Sequence, residues 1–213
     1  SYRYMRMEMS DLRDASHDIS RTNAVSSTGS YKFMNAPVKM HSNMHMFGGM
    51  YGVSNRFTGM IMVPYLNKKM KVRQRAGDMN RFTVASRGLG DIKITGLYSL
   101  KDNDNAKWLL NFGLSLPTGE TNVKDVMVMM SGMPMHSTLG YGMQLGSGTY
   151  DPILKLGYMK KWNKISMGWQ TSGTWRFYQN QDNYHLGDEY QGTFYGAYVF
   201  NDWMSFSGRL NGK

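Results

Sequence analysis

The chain has 213 residues, a formal net charge of +10 and no cysteine, which excludes a disulfide framework. It contains no run of about 18 or more apolar residues, which excludes a transmembrane helix. Outside residues 68–75 and 160–161 its basic residues are scattered singly and form no stripe, so we do not expect a nucleic acid as partner. The 24 Gly and 14 Tyr against 5 Pro indicate strands, and the 21 Met are the unusual feature of the composition.

The first nine residues, SYRYMRMEM, predict a strand. Side chains alternate across a strand, so Met5, Met7 and Met9 fall on one side of it. The alternation is already under way at residue 1, so we expect that the natural chain begins earlier. Residues 10–36 are rich in Ser, Asp, Asn and Thr without a sustained period, and they predict a long loop.

Residues 40–65 predict a hairpin whose turn lies at residues 54–55. One face is aromatic and β-branched, whereas the opposite face is nearly pure thioether. A soluble antiparallel sheet usually turns one face to water, and this hairpin has no polar face. Two interpretations follow. The hairpin belongs either to a membrane barrel, with aromatics toward lipid and methionines toward the lumen, or to a buried layer of a soluble two-sheet sandwich.

The later strands alternate in the same way. Residues 66–88 are polar and basic, and they predict a protruding strand pair with a loop. Further alternating segments cover 91–100, 107–116, 151–162, 165–177, 189–200 and the residues from 204 onward. In each segment the polar and the aromatic side chains fall on different faces of the strand. We assign the polar face to the lumen, with the residues Lys93, Lys107, Lys155, Gln170, Arg176 and Arg209.

The connections between the segments decide between the two interpretations. Long connections (10–36, 66–88, 117–148 and 178–188) alternate with short ones (54–55, 101–105, 162–164 and 201–202). Bacterial outer-membrane barrels have this asymmetry, with short periplasmic turns and long extracellular loops. We therefore predict an all-β fold, an antiparallel up-and-down transmembrane β-barrel in the bacterial outer membrane, with residues 1–213 as one domain. We count about nine strands, and because single-chain barrels have an even number we expect a total of about 10–12 and trimmed termini.

Three segments carry a resemblance to a known family. They are MHMFGGMYGVSNRFTGMIMVPY at 44–65, FGLSLPTGE at 112–120 and MQLGSGTYDPILKLGY at 143–158. These segments resemble the outer-membrane barrel family named for the meta-pathway of phenol degradation, whose members are also called transporters. The resemblance implies an outer-membrane barrel with a transport role, and it implies neither a substrate nor catalytic residues.

The methionines are the first candidate site. Thioethers select soft cations such as Cu(I), and strand alternation places many of them on one face. The candidate ligands are Met5, Met7, Met44, Met46, Met60 and Met62 with His45, and in the longest loop Met133, Met135 and His136. The alternative is that flexible methionines only fill a narrow lumen. The loop cluster, which also includes Met127, Met129 and Met130, is either a mobile extracellular metal scavenger or a plug folded over the lumen.

The predicted function is passage of a small apolar or soft-metal solute through the outer membrane. The lumen cations form either an anion-preferring wall or an internal salt network with Asp91, Asp151 and Glu189. The alternative function is a non-conducting barrel that anchors an envelope protein partner or a second copy. No nucleophile motif surrounds any Ser, so we predict no enzyme. Cu(I) is the one cofactor considered, and outer-membrane lipid is an expected partner.

Overall fold

The computed structural model shows a nearly all-β chain whose main antiparallel sheet curls into a half-barrel. The structure describes residues 1–14, 17–20, 24–25, 35–74, 81–103, 105–128, 133–201 and 203–213. None of the helices within these ranges is long and apolar enough to cross a membrane.

The described residues form fourteen strands and one turn of 3-10 helix at Tyr141–Met143. The strands are β1 (Tyr2–Met9), β2 (Leu12–Asp14), β3 (His17–Ile19), β4 (Asn35–Gly52), β5 (Phe57–Gln74), β6 (Arg81–Leu89), β7 (Ile92–Asn103), β8 (Ala106–Leu116), β9 (Lys124–Val128), β10 (Pro134–Thr138), β11 (Asp151–Trp162), β12 (Ile165–Thr174), β13 (Glu189–Asn201) and β14 (Met204–Gly212).

Nine strands of the main sheet follow one path, β1-β4-β5-β7-β8-β11-β12-β13-β14, with every pairing antiparallel. The predicted up-and-down order and the count of about nine strands are therefore confirmed. The tenth strand, β6, pairs with the later half of β5, which is the strand pair predicted for 66–88. Two separate ribbons, β2 with β3 and β9 with β10, lie in segments predicted as loops.

The four short connections that join paired consecutive strands lie at one end of the sheet. They comprise residues 53–56, 104–105, 163–164 and 202–203, each between two consecutive strands. In the first of them the backbone N–H groups of Val53 and Ser54 both donate to the Phe57 carbonyl. Asn163 has φ of 41°, a left-handed conformation that asparagine tolerates in tight turns. The long connections lie at the other end, as predicted.

The sheet curves toward one face. Met60 on β5 and Tyr195 on β13 line the same cavity, of about 250 Å³. Strands lie about 4.8 Å apart, so a flat sheet would separate β5 from β13 by roughly 24 Å. We call the concave face, which carries Met60, Lys155 and Tyr195, the inner face, and the opposite one the outer face. One curled sheet replaces the two packed sheets of the sandwich interpretation.

The outer face carries the large aromatic side chains. The Trp108 ring lies 4.6 Å from that of Tyr158 and 5.9 Å from that of Trp169, between ring centroids on three neighbouring strands. Phe206 and Leu210 on β14 are 70% and 75% exposed. Burying such residues in lipid is favourable, whereas exposing them to water is costly. The outer face is therefore an apolar surface without a protein covering along these strands.

The best-packed core lies at the end of the sheet away from the short turns. Val72, Val84, Leu139 and Met143 are buried there against one another. Val72 and Val84 belong to the long strand pair β5–β6, whereas Leu139 and Met143 belong to the connection between β8 and β11. This connection therefore packs onto the sheet at the level where the strands extend furthest.

Candidate functional site

The methionines of the first three strands share the inner face. In the register of these strands, Met5 lies opposite Met44, and Met50 lies opposite Met60. The predicted ligands on this face are Met5, Met7, Met44, Met46, Met60 and Met62. A row is the set of residues directly opposite one another on neighbouring strands. The row that contains Met7 and the row that contains Met60 are eight residues apart along β4, a distance of roughly 27 Å. The six residues therefore form a column and do not converge on one point.

One row across the first three strands contains three methionines that were not among the predicted ligands. Met9, Met40 and Met70 lie directly opposite one another on β1, β4 and β5. Met40 and Met70 also pack against the core that contains Met143. Alternation places each of these residues on the correct face, but only the register shows that they share a row.

His45 does not join the methionines. It lies between Met44 and Met46 along β4, so its side chain points to the outer face. There its Nδ1 atom is 2.7 Å from the hydroxyl of Tyr2, and its ring is 5.1 Å from that of Tyr4. His45 therefore belongs to an aromatic cluster on the outer face and cannot complete a ligand set on the inner one.

The predicted loop cluster is split by the β9–β10 ribbon. Met135 lies opposite Met127, and His136 lies opposite Val126 on the other side of the ribbon. Met133 is 65% exposed and Met135 is 46% exposed. Residues 129–130 lie outside the described ranges. Within the described part of the chain, no three His, Cys, Asp or Glu side chains are grouped as metal ligands.

The residues that follow the ribbon fold over the inner face. We call residues 139–147 the inward segment. Lys68 Nζ donates to the carbonyls of Gly142, at 3.0 Å, and Gln144, at 2.6 Å. Ser86 Oγ donates to the carbonyl of Met143 at 2.6 Å. Lys68 and Ser86 are opposite each other on β5 and β6, so this strand pair holds the inward segment in place.

Two acidic residues anchor the long connection from both ends. The Asp91 carboxylate accepts the N–H groups of Gly119, at 3.0 Å, and Ser147, at 2.7 Å. The buried Asp151 carboxylate accepts from Arg176 Nε at 3.3 Å and from the Thr149 hydroxyl at 2.5 Å. The PTGE and LGSGTYDP motifs thus supply a loop that is fixed by carboxylates. Arg176 is engaged in this pairing.

The other predicted lumen residues also lie on the inner face. The register aligns Lys93, Lys107, Lys155, Gln170 and Arg209 with the face that lines the cavity. Lys107 pairs with Asp102 at 2.6 Å. Of the acids of the proposed salt network, Asp151 pairs with the lumen residue Arg176, whereas Asp91 accepts backbone N–H groups and Glu189 pairs with Lys213 at 2.9 Å.

The lining of the cavity between β5 and β13 has apolar and polar members. Met60, Leu97 and Leu109 belong to the first, and Lys155 and Gln170 to the second. Both Lys155 and Gln170 were predicted to face the lumen, but no pattern in the sequence indicated a cavity there. Two further lining residues, Asn111 and Tyr195, were not among the predicted site residues.

No family model matches the chain, and no curated protein does. Among solved structures it is similar to the crystal structure of the COG4313 outer membrane channel from Pseudomonas putida F1. The TM-score is 0.59 at 17% sequence identity, and the match covers 99% of this chain and 68% of that one. This likeness shows the fold. It supports the outer-membrane barrel architecture that the sequence resemblance implied, whereas the name of the phenol-degradation family stays a prediction.

Proposed function

We propose that this chain forms the wall of a bacterial outer-membrane channel that passes a small apolar or soft-metal solute. The observation that carries the proposal is the division of the sheet. Methionines, lysines and a cavity share the inner face, whereas the outer face is aromatic and uncovered. A barrel wall in lipid needs this division, with apolar residues outward and a lumen of different chemistry inward.

The lengths of the connections between strands also fit an outer-membrane barrel. Short turns at one end and long connections at the other match periplasmic and extracellular ends, respectively. The solved neighbour is named as an outer membrane channel, which supports the same localisation and a channel role for this chain. Outer-membrane lipid is then the partner of the outer face, and we propose no enzymatic activity.

The soft-metal solute is supported by the methionine column. Thioethers bind Cu(I) and Ag(I) in preference to harder cations. A column of methionines along the inner face offers successive weak sites, which suits passage better than one tight site. Met133 and Met135, exposed on the β9–β10 ribbon, offer further thioethers at the mouth.

A non-conducting barrel is the second candidate, and the inward segment favours it. Lys68 and Ser86 hold residues 139–147 against the inner face with three hydrogen bonds. A segment fixed in this way narrows the path between the extracellular end and the cavity. If it closes the path permanently, the barrel serves as an anchor for an envelope protein partner or a second copy.

Conductance of the purified full chain in planar bilayers separates the two candidates. We expect stepwise single-channel currents from the natural protein, and larger or longer openings from Lys68→Met, which loses two of the bonds to the inward segment. Lys69→Met is the matched control, because Lys69 is the neighbouring residue on the outer face. The absence of current from both the natural protein and Lys68→Met would favour the non-conducting barrel.

A further inference from the structure

The cavity on the inner face contains a lysine without an acidic partner. Among the described residues, no carboxylate oxygen lies within 4.0 Å of Lys155 Nζ. The two nearest acids by strand register each pair with another cation, Asp151 with Arg176 and Glu189 with Lys213. Lys93 repels Lys155 electrostatically from the same face, whereas Glu189, already paired with Lys213, attracts it only from beyond ion-pair distance. This part of the wall therefore has an excess of positive charge that faces into a cavity.

A polar atom beside this lysine also lacks a partner. Asn111 lies directly opposite Lys155 on the neighbouring strand and lines the same cavity. Its Oδ1 atom is buried without a hydrogen bond, and its Nδ2 atom has only a long contact, 3.9 Å, to Met60 Sδ. A buried amide without partners costs about 1–3 kcal/mol, so a group that satisfies it binds favourably.

Most of the remaining lining of the cavity is apolar. Met60, Leu97, Leu109 and Met159 provide thioether and aliphatic surface around the polar pair. Gly157 adds open space next to Lys155, since a Cβ atom there would meet nothing closer than the Trp169 carbonyl oxygen at 3.8 Å. The volume of about 250 Å³ suits a molecule with the size of a single aromatic ring or a short alkyl chain.

We propose that this cavity binds a small organic monocarboxylate with a compact apolar body. The carboxylate lies between Lys155 and Asn111, and the body contacts Met60 and the two leucines. A carboxylate fits better than inorganic phosphate, because the polar lining consists of one lysine, two amides and the Tyr195 hydroxyl, which suit a monoanion, and the other lining side chains are mainly apolar. This inference rests on the proposed function in one respect: if the chain is the wall of a channel, the cavity faces the pore.

Binding is measured on the detergent-solubilised full chain by ¹⁹F NMR titration with 4-fluorobenzoate. We expect saturable binding to the natural protein, and at least about a tenfold weaker affinity for Lys155→Met, which keeps most of the apolar stem. Lys69→Met removes the same charge from the outer face and should bind as the natural protein does. Gly157→Val fills the floor of the cavity with a residue that favours strands, and it should also weaken binding about tenfold.

Competing compounds test the chemistry of the ligand. Benzoate should displace the probe, whereas benzyl alcohol and inorganic phosphate should not at equal concentration. Absence of saturable binding to the natural protein, equal competition by benzyl alcohol, or an equal loss in Lys69→Met would overturn the proposal. Because binding is measured without a membrane, a protein that conducts and does not bind refutes this inference and leaves the channel intact. A protein that binds the probe and does not conduct supports this inference and refutes the proposed channel.

Discussion

The ring of Tyr195 on β13 lies across Gly168 on β12, directly opposite it in the register. A Cβ atom at Gly168 would be 2.4 Å from the tyrosine ring and 2.6 Å from the carbonyl oxygen of Tyr158. Glycine is therefore required here, and the aromatic ring covers the gap that glycine leaves in the sheet. On the neighbouring strand, the inner-face Gly157 has no such cover.

Gly168→Ala should destabilise the sheet, because the added methyl group must displace the Tyr195 ring and the β11 backbone. We expect a loss of about 1–3 kcal/mol in the free energy of unfolding, which is the range for overpacked sites. The measurement is urea unfolding of the protein in lipid vesicles. Gly157→Ala is the control, and an equal loss in that variant would contradict the packing argument.

Leu110→Arg should destabilise the protein in lipid, because Leu110 belongs to the outer face of β8. An arginine facing the middle of the bilayer costs about 2–4 kcal/mol in the free energy of unfolding. Leu109→Arg places the same charge on the inner face, one residue away, and should cost much less. Unfolding from vesicles compares the two, and a larger loss for Leu109→Arg would reverse the assignment of faces.

Exchange of Met44, Met46, Met60 and Met62 for leucine tests the soft-metal solute. The apolar volume stays nearly constant while the sulfur is removed. We expect Ag(I) binding, measured by isothermal titration calorimetry, to weaken by at least about tenfold, or about 1.4 kcal/mol. His45→Phe should leave Ag(I) binding unchanged, since His45 lies on the outer face. Unchanged binding in the leucine variant would assign these methionines to packing alone.

Asp91→Ala should release the connection between β8 and β11. The substitution removes the acceptor of the Gly119 and Ser147 N–H groups, and each bond to a charged acceptor contributes about 1.5–3 kcal/mol. We expect several-fold faster tryptic cleavage at Lys124 in this connection. Asp102→Ala breaks only the Lys107 ion pair near a short turn, and cleavage at Lys124 should not change.

Sequence patterning predicts the strands and their faces because alternation is a local property. Lys93 and its neighbour Ile94 fall on opposite faces in any strand, whatever the strand pairs with. Register is not local. Which methionine lies opposite Met40 depends on how β1 and β5 align with β4, and no pattern within one strand encodes this alignment. The column of methionines was therefore predictable, whereas the row of Met9, Met40 and Met70 was not.

The structure of the polar connections was also not predictable from a local pattern. The β2–β3 ribbon consists of Leu12–Asp14 and His17–Ile19, which are too short and too polar to produce an apolar period. The inward segment depends on a bond from Lys68 to a carbonyl 74 residues further along the chain. A plug over the lumen was one predicted alternative for this loop, but only the folded chain shows which side chains hold residues 139–147 inward.

The most direct test of the division between a pore-facing and a lipid-facing side compares two neighbouring residues of β13. The chain has no cysteine, so Thr193→Cys and Phe194→Cys each carry one spin label at a defined place. In vesicles, the label at residue 194 should collide mainly with oxygen, which concentrates in lipid. The label at residue 193 should collide mainly with a water-soluble nickel complex. The opposite pattern, or equal shielding of both labels from both reagents, would contradict a barrel wall with this inner face.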